Sequence, residues 1–372
     1  MRFRIESASV VFLCAASCAA PPPPSAPVAR DPVQPAPSAP DPFAVLSDIT
    51  FGSCSDMTRP APVFRTIADE GSDLFIFAGD NVYADTEDMD EMWDTYQELA
   101  ADPDFRALRA STPLVATWDD HDYGVNDGGA EYPMRRESRE LFMRFWGIGP
   151  DSPMAAREGV YDARVWGPPG RRVQVILLDT RYFRSALTRR DPGVDYGSGG
   201  RYRPSTDTNA TMLGAAQWSW LREQLEVPAE LRLLVSSVQV VPDDHGWEKW
   251  GNHPQERDRL FSLIRETGAR GVVVLSGDRH LAEISILPAD DPKGVGYPLI
   301  DVTASGLNKG GGGSPDEPNR YRMGDNFRGN NYGRVSVDWD ASDPLVTLEV
   351  LDEEGRSVRR HDVRLGALRA GG

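Results

Sequence analysis

Short apolar runs alternate with helix-like segments along most of the chain. Leu74 to Ala78 is an uninterrupted apolar run of strand length, whereas residues 214–227 repeat their apolar side chains at helical spacing. The predicted strands lie within residues 45–55, 73–85, 112–124, 171–185, 231–242 and 271–285, and the predicted helices within 61–71, 91–110 (broken near Pro103), 138–147, 214–227 and 254–269. This alternation predicts an α/β core.

The C-terminal part of the chain has a different pattern. Residues 333–340 and 345–365 alternate apolar and polar side chains, and turn residues stand at 353–355. We therefore expect antiparallel strands after the α/β core. The Gly-rich residues 304–322 lack the strand-to-helix setting of a phosphate-binding loop, so we expect a flexible loop at the surface or at the rim of a site.

The N-terminus has the pattern of an export signal. Arg2 and Arg4 precede a stretch, Ala8 to Ala16, that is too short to span a bilayer. Cys18 follows small residues of the kind that precede a lipidated cysteine in bacterial lipoproteins; a secretory signal cleaved nearby is the alternative. We expect a lipoprotein-type signal peptide over residues 1–18 and an exported protein, periplasmic or at the cell surface, held at the membrane by this lipid only.

A proline-rich segment follows the signal. Residues 21–42 contain ten prolines among Ala and Ser, a composition that favours extended polyproline conformations and cannot form a core. We therefore predict a linker over residues 19–44 and one globular domain over residues 45–366. The sequence of this domain contains no apolar run long enough to cross a bilayer.

Charge and cysteine content narrow the chemistry. The chain has 40 Lys and Arg against 57 Asp and Glu, a net charge of −17, so we expect no nucleic acid partner because phosphates must be met by cations. An anionic substrate would need local positive charge, for which metal ions are the obvious source. With Cys14 and Cys18 in the signal peptide, Cys54 is the only thiol of the mature domain, either a buried inert residue or a metal ligand.

Four predicted strands end in residues that can bind metal. These segments are Ser53-Cys54-Ser55, Gly79-Asp80-Asn81-Val82-Tyr83, Trp118-Asp119-Asp120-His121-Asp122 and Ser276-Gly277-Asp278-Arg279-His280. Ligands of α/β sheets gather at the carboxyl ends of strands, so the four segments could converge on one point. Carboxylates brought together share protons or hold cations, and their number here favours cations, which would offset the repulsion among the aspartates around His121.

These motifs resemble those of the metallophosphoesterase superfamily and, within it, of the alkaline phosphatase D (PhoD-like) phosphatases. Gly79-Asp80-x-x-Tyr83 occupies the place of the motif G-D-x-x-D. The segment from Asp119 to Asp122 occupies that of G-N-H-E/D, and the segment from Gly277 to His280 occupies that of G-H-x-H. Ser53-Cys54-Ser55 stands in place of D-x-H, and a Cys and a Tyr at these positions are typical of the PhoD-like branch. The superfamily's further metal histidine has no clear match; Gln239 lies nearest.

The resemblance implies a four-layer α/β/β/α sandwich of two mixed sheets and a metal-dependent phosphoric ester hydrolase, a phosphomonoesterase or phosphodiesterase. It implies two or more metal ions, Fe(III) with Ca(II) or other divalent metals, because thiolate and phenolate suit trivalent iron and carboxylates suit calcium. The implied metal ligands are Cys54, Asp80, Tyr83, Asp119, Asp120, Asn126, Asp278 and His280. His121 would protonate the leaving oxygen as a general acid, and Asp122 would orient the imidazole ring.

The remaining predictions concern the substrate and the alternatives. Arg181 and Arg184 either clamp a phosphate group or form surface ion pairs. We expect a small phosphate ester or a phosphate polymer as substrate, and a monomeric protein. Two other functions stay open: a non-catalytic lipoprotein stabilised by metal, which would not need His121, and a serine-type esterase, although the sequence has no G-x-S-x-G motif.

Overall fold

The central strands are apolar along their whole length because both of their faces are covered. The computed structural model describes residues 40–369. Within it, strand β2 (Leu74–Ala78) directs Ile76 into one hydrophobic core and Phe77 into a second core on the opposite face of the sheet. Alternate residues of one strand therefore hold two layers together.

Two six-stranded mixed sheets form the middle of the molecule. The strands of the first sheet are β1 (Asp48–Gly52), β2, β3 (Leu114–Thr117), β10 (Asn331–Asp338), β11 (Leu345–Asp352) and β12 (Ser357–Arg364). The strands of the second are β4 (Asp162–Trp166), β5 (Val173–Leu177), β6 (Leu231–Ser236), β7 (Val272–Ser276), β8 (Ala282–Leu287) and β9 (Leu299–Ala304). Their orders are β12-β11-β10-β1-β2-β3 and β4-β5-β6-β7-β9-β8.

Each sheet combines a parallel part with antiparallel strands. Strands β1, β2 and β3 are parallel, as are β5, β6, β7 and β9. The C-terminal strands β10, β11 and β12 join the first sheet in antiparallel fashion, with a turn in which Gly355 has a φ of 83°. The antiparallel C-terminal strands are therefore confirmed.

Helices cover the outer faces of both sheets. They are α1 (Val63–Glu70), α2 (Met89–Ala101), α3 (Pro103–Ser111), α4 (Asp120–Tyr123), α5 (Arg135–Phe145), α6 (Gly214–Glu226) and α7 (Pro254–Thr267). Phe64 of α1 and Phe142 of α5 pack in the core on the outer face of the first sheet, whereas Trp218 of α6 and Phe261 of α7 pack with the second sheet. The order helices, sheet, sheet, helices confirms the predicted four-layer sandwich.

Some predicted elements need correction. The break near Pro103 is confirmed, because Pro103 begins α3 and the Asp102 carboxylate accepts from the Asp104 and Phe105 N–H groups as its cap. The single strand predicted over residues 271–285 is wrong. It is two strands, β7 and β8, and β9 lies between them in the sheet. Strands β4 and β9 were not predicted.

The predictions for the N-terminus concern residues outside the described part of the chain. The signal peptide over residues 1–18, the lipidation site Cys18 and all but the end of the linker over residues 19–44 stay predictions. Of the helices in the described part, none is both long and apolar enough to cross a membrane.

Candidate metal centre

The carboxyl ends of strands from both sheets meet in one place. Cys54 follows β1, Asp80 follows β2 and Asp278 follows β7. Backbone hydrogen bonds join the loops, with Cys54 N–H donating to Gly79 O at 3.4 Å. Cys54, Asp80 and Asp278 have positive φ angles of 65°, 49° and 68°, a left-handed conformation that non-glycine residues rarely adopt and that is concentrated at functional sites.

One group of side chains combines sulfur, oxygen and nitrogen donors. Ligand atoms of Cys54, Asp80 and His280 all lie within 4.8 Å of one another. The Cys54 sulfur is 3.4 Å from Asp80 Oδ2, and the Tyr83 hydroxyl is 3.0 Å from the same oxygen and 2.8 Å from His280 Nε2. Four of the predicted ligands are thus brought together around one point.

A second, all-carboxylate group adjoins the first. Asp119, Asp120 and Asp278 place one oxygen each within 4.8 Å of one another, and Asp80 and Asp120 form a further such group with His121. Asp80 is a member of the first group, and through its group with Asp120 and His121 it connects the first group to the carboxylates of the second. We call Cys54, Asp80, Asp119, Asp120 and Asp278 the anionic cluster.

The anionic cluster contains more negative groups than the chain itself satisfies. Burial, followed by neighbouring acidic groups, raises the pKa of Asp80 and of Asp278 well above the usual range, and burial raises the pKa of the Cys54 thiol. Asp119 Oδ2 and Asp120 Oδ1 are buried without a hydrogen-bond partner. Burial also lowers the pKa of His280 to about 4, which keeps the imidazole neutral as a metal ligand requires. The donor set therefore fits metal ions.

His121 is held by an aspartate that the sequence analysis did not select. Its Nδ1 lies 2.7 Å from Asp85 Oδ2, and its ring packs against Tyr83 with 4.2 Å between the ring centroids. Burial acts to lower the pKa of His121, but Asp120, Asp80 and Asp85 outweigh it and raise the pKa to about 11, so the ring is protonated. This cationic ring faces the anionic cluster as a proton donor.

The predicted role of Asp122 is wrong. Its Oδ1 accepts from the Asp119 N–H at 2.7 Å, and its Oδ2 accepts from the Asn81 backbone N–H at 3.2 Å and from the Asn81 side chain. Asp122 thus fixes the start of α4 and its neighbouring loop, while Asp85 orients the ring. Asp85 lies in the same loop as Asp80 and Tyr83, and this position in the sequence is the signal by which it could have been selected as a candidate site residue.

Arg181 and Arg184 are neither a phosphate clamp nor surface ion pairs, and both predictions for them are wrong. The two side chains are 0% exposed. Arg181 Nε donates to Asp119 Oδ1 at 2.5 Å and its Nη1 donates to Glu248 at 2.7 Å, while Arg184 lies 3.2 Å from Glu248 and donates to the Asp127 carbonyl. These arginines form a buried ion network behind the anionic cluster.

An open cavity of about 220 Å³ leads to the anionic cluster. Asp120, His121, Asn126, Asp278 and His280 line it. The exposed Asn126 therefore faces the same cavity as the carboxylates, next to two guanidinium groups that the sequence analysis did not assign to the substrate, Arg201 and Arg279. Gly312 and Gly313 also line the cavity, so the Gly-rich segment forms part of its rim. A Cβ at Gly312 would lie 2.5 Å from His280 Cβ, which explains the need for glycine there.

Gln239 does not replace the missing superfamily histidine as a ligand. Its Nε2 donates to Glu283 Oε1 and to Thr303 Oγ1, both at 2.8 Å, and its Oε1 accepts from His245 Nε2 at 3.0 Å. All of its polar side-chain atoms are therefore occupied elsewhere. Sequence analysis also missed Glu248, which lies in a loop without a recognisable pattern.

Comparisons with known proteins identify the family of the chain and support its fold. The family model described as PhoD-like phosphatase matches residues 86–326. Alkaline phosphatase D of Bacillus subtilis (strain 168) is 24% identical over 315 residues, which cover 72% of this chain and 51% of that protein, so the chain spans about half the length of this relative. A solved structure of PhoD superimposes with a TM-score of 0.65 and 19% identity, covering 85% of this chain and 72% of the other, and supports the fold.

Proposed function

Because the chain belongs to the PhoD-like phosphatase family, we propose that it is an exported, metal-dependent phosphoric ester hydrolase. The observation that carries the proposal is the anionic cluster, which contains buried carboxylate oxygens without a hydrogen-bond partner and adjoins an open cavity that Asp120, Asp278 and the protonated His121 line. The substrate is a small phosphate ester, monoester or diester, or a phosphate polymer. The protein acts as a monomer, without a nucleic acid partner, and the N-terminal lipid on Cys18 is its membrane attachment.

The donor types divide the ligands between two ions. Cys54, Tyr83 and His280 with Asp80 would hold Fe(III), because thiolate and phenolate are electron-rich anionic ligands. The second ion, Ca(II) or another divalent metal, would be held by oxygen donors from Asp80, Asp119, Asp120, Asn126 and Asp278. When bound, the two ions would activate water and neutralise charge on the phosphoryl oxygens.

The chain's own residues supply the proton and the positioning. His121 donates a proton to the leaving oxygen, and Asp85 holds the ring in position through Nδ1, so Nε2 is the donating atom. Arg201, which also pairs with Asp127 at 3.3 Å, and Arg279, whose Nη2 is held by Glu317, are the guanidinium groups that line the cavity, and their remaining N–H groups would bind phosphate oxygens. Arg181 and Arg184 act only by keeping Glu248 and Asp119 paired.

The two alternative functions are less well supported. A purely structural metal site does not need a histidine that is protonated, oriented by a carboxylate and placed at an open cavity. A serine-type esterase needs a histidine base beside its nucleophile. Ser53 Oγ contacts the Cys54 sulfur and Ser55 Oγ is buried without a hydrogen-bond partner, so neither serine has such a base.

The test combines metal analysis with activity. Wild type, Cys54→Ala and His121→Gln are purified, their metal content is measured, and hydrolysis of 4-nitrophenyl phosphate and bis(4-nitrophenyl) phosphate is followed. We expect two or more ions per wild-type chain, loss of metal and turnover in Cys54→Ala, and retained metal with a fall in kcat of about 10²–10⁴-fold in His121→Gln, the usual contribution of a general acid.

A chelator provides the control against serine chemistry. Activity should disappear on chelation and return when metal is added back. Undiminished turnover of the chelated protein would refute metal dependence, and full turnover in His121→Gln would refute the role of that residue.

A further inference from the structure

A second cavity, of about 330 Å³, adjoins the one above the anionic cluster. Residues 197–199 and the segment from Gly313 to Pro318 form its walls. Trp247 and Gly313 line both cavities, so the two spaces are separated only by a shared wall. A ligand whose phosphate lies in the first cavity can therefore reach the second without leaving the protein surface.

The shared wall is held in a defined position. The Trp247 backbone N–H donates to His245 Nδ1 at 3.2 Å. The Arg279 guanidinium lies 5.5 Å from the centre of the Trp247 ring and is fixed by both oxygens of Glu317, at 2.7 and 2.8 Å. Since Arg279 stands between Asp278 and His280 in the chain, the indole is placed relative to the proposed metal ligands by a single backbone segment.

The charges around the second cavity restrict what can bind there. Asp316 and Glu317 line it, and the described lining contains no Lys or Arg; because Arg279 already pairs with Glu317, Asp316 is the carboxylate that disfavours an additional anionic group. Arg201 and Arg279 both lie over the Trp247 ring, at 5.7 and 5.5 Å, so a cation on the same ring would meet two positive charges. An uncharged group avoids both penalties and gains contact with the indole and Pro318.

We propose that the second cavity is a specificity subsite that binds an uncharged, ring-sized organic group of the phosphate ester against Trp247. This inference rests on the proposed function for the position of the phosphate. It adds a substrate class to that function: esters of bulky, uncharged, ring-bearing alcohols are preferred to esters of small alcohols and to esters that carry a further charge.

Gly199 offers a way to fill the second cavity without touching the anionic cluster. A Cβ added at Gly199 has only the Trp247 indole nitrogen nearby, at 4.0 Å, and the backbone there does not have the positive φ that would strain a side chain. Gly199→Leu therefore places a side chain in the space that we assign to the ring. Gly149→Leu is the matched control, because Gly149 is exposed, has open space at its Cβ position and also lacks a positive φ.

The experiment measures binding of non-hydrolysable probes by titration calorimetry to the protein with its metals as purified. Phenylphosphonate and methylphosphonate share the anionic head group and differ in the ring. We expect wild type and Gly149→Leu to bind phenylphosphonate at least about tenfold more tightly, the effect of burying part of a ring. In Gly199→Leu the ratio of the two Kd values should fall to near one.

A second arm tests the charge argument and does not depend on Gly199→Leu folding. Wild type should bind 4-carboxyphenylphosphonate several-fold more weakly than phenylphosphonate, and Asp316→Asn should reduce this difference. A Kd ratio of phenyl to methyl probe near one in wild type, or the same strong ring preference in Gly199→Leu as in wild type, would overturn the subsite. Because binding is measured directly, these results are separate from the hydrolysis assay that decides the proposed function.

Discussion

Two buried polar clusters of this protein both contain carboxylates, but they differ in how many of the carboxylate oxygens receive a hydrogen bond. In the Glu283 cluster (Glu283, Arg322, Gln239 and Asn319), both carboxylate oxygens of Glu283 receive donors: Gln239 at 2.8 Å and Asn319 at 2.9 Å on Oε1, and Arg322 on Oε2. In the anionic cluster, one oxygen of each of two carboxylates, Asp119 Oδ2 and Asp120 Oδ1, has no hydrogen-bond donor although both side chains are almost fully buried.

The difference shows which charges the chain itself compensates. A buried carboxylate is tolerated when hydrogen bonds or a cation replace the water it has lost. The Glu283 cluster obtains these groups from the fold, so it is a structural element. The anionic cluster obtains them only in part: Arg181 and Ser237 donate to Asp119 Oδ1, whereas Asp119 Oδ2 and Asp120 Oδ1 receive no hydrogen bond, and an external cation would complete their compensation.

Replacing Asp278 should reduce metal binding and catalysis without lowering the stability of the metal-free protein. Asp278→Asn is expected to lower bound metal and to reduce kcat/KM by on the order of a thousandfold or more, because a ligand of the reacting centre is lost. In the metal-free protein the same substitution should leave the free energy of unfolding unchanged or higher. Burial and then Asp119 raise the pKa of Asp278 well above the usual range. The folded, metal-free protein therefore disfavours the charged form of this carboxyl group, and removing the group does not lower stability.

Glu283→Gln is the matched substitution in the Glu283 cluster. It leaves Arg322 without its buried carboxylate and should lower the free energy of unfolding by about 3 kcal/mol whether or not metal is present. Chemical denaturation of both variants, with and without chelator, measures the contrast. Equal destabilisation of the two metal-free variants would contradict it.

Arg181→Met should break the ion network behind the anionic cluster. The substitution removes the guanidinium from Asp119 and leaves Glu248 with Arg184 alone, so we expect a loss of about 3 kcal/mol in the free energy of unfolding, the lower end of the cost of removing one partner of a buried pair. Thermal and denaturant unfolding provide the measurement. An equally stable variant with a raised KM would contradict this prediction and would support the hypothesis that Arg181 binds the phosphate group of the substrate.

Asp85→Asn should weaken catalysis without disturbing the ligands. We expect kcat to fall about 10–100-fold, the usual effect of losing a group that orients a functional residue, with metal content and KM retained. Asp94→Asn is the control, because Asp94 is an exposed aspartate on α2. A rate equal to that of Asp94→Asn would show that Asp85 has no positioning role.

The last prediction concerns the pH dependence of the metal-free protein. Burial raises the pKa of Asp122 from 3.8 to about 8, although N–H donors from Asp119 and Asn81 oppose the shift. Between these pH values the folded state binds more protons than the unfolded state, so the free energy of unfolding should fall as pH rises through that window. Asp122→Asn should flatten the slope in unfolding experiments at several pH values; an unchanged slope would exclude Asp122 as its source.

Local pattern was sufficient for the core elements and for most candidate ligands. Buried strands such as Leu74–Ala78 are recognisable because both faces are apolar, and Pro103 marks a helix start because it has no N–H to donate. The positions of Cys54, Asp80 and Asp278 directly after such strands predicted their convergence, which the structure displays.

Short-range periodicity therefore predicted most of the α/β order and the residues at the strand ends, but it did not reveal β4, β9 or the separation of β7 from β8. Tertiary structure alone decided which partner each charge receives. Asp85 rather than Asp122 contacts the His121 ring, and Glu248 pairs with both Arg181 and Arg184. Strand β9 lies between β7 and β8 in the sheet. These pairings depend on how distant loops and strands lie in space, and the burial that sets their energies exists only after the chain has folded.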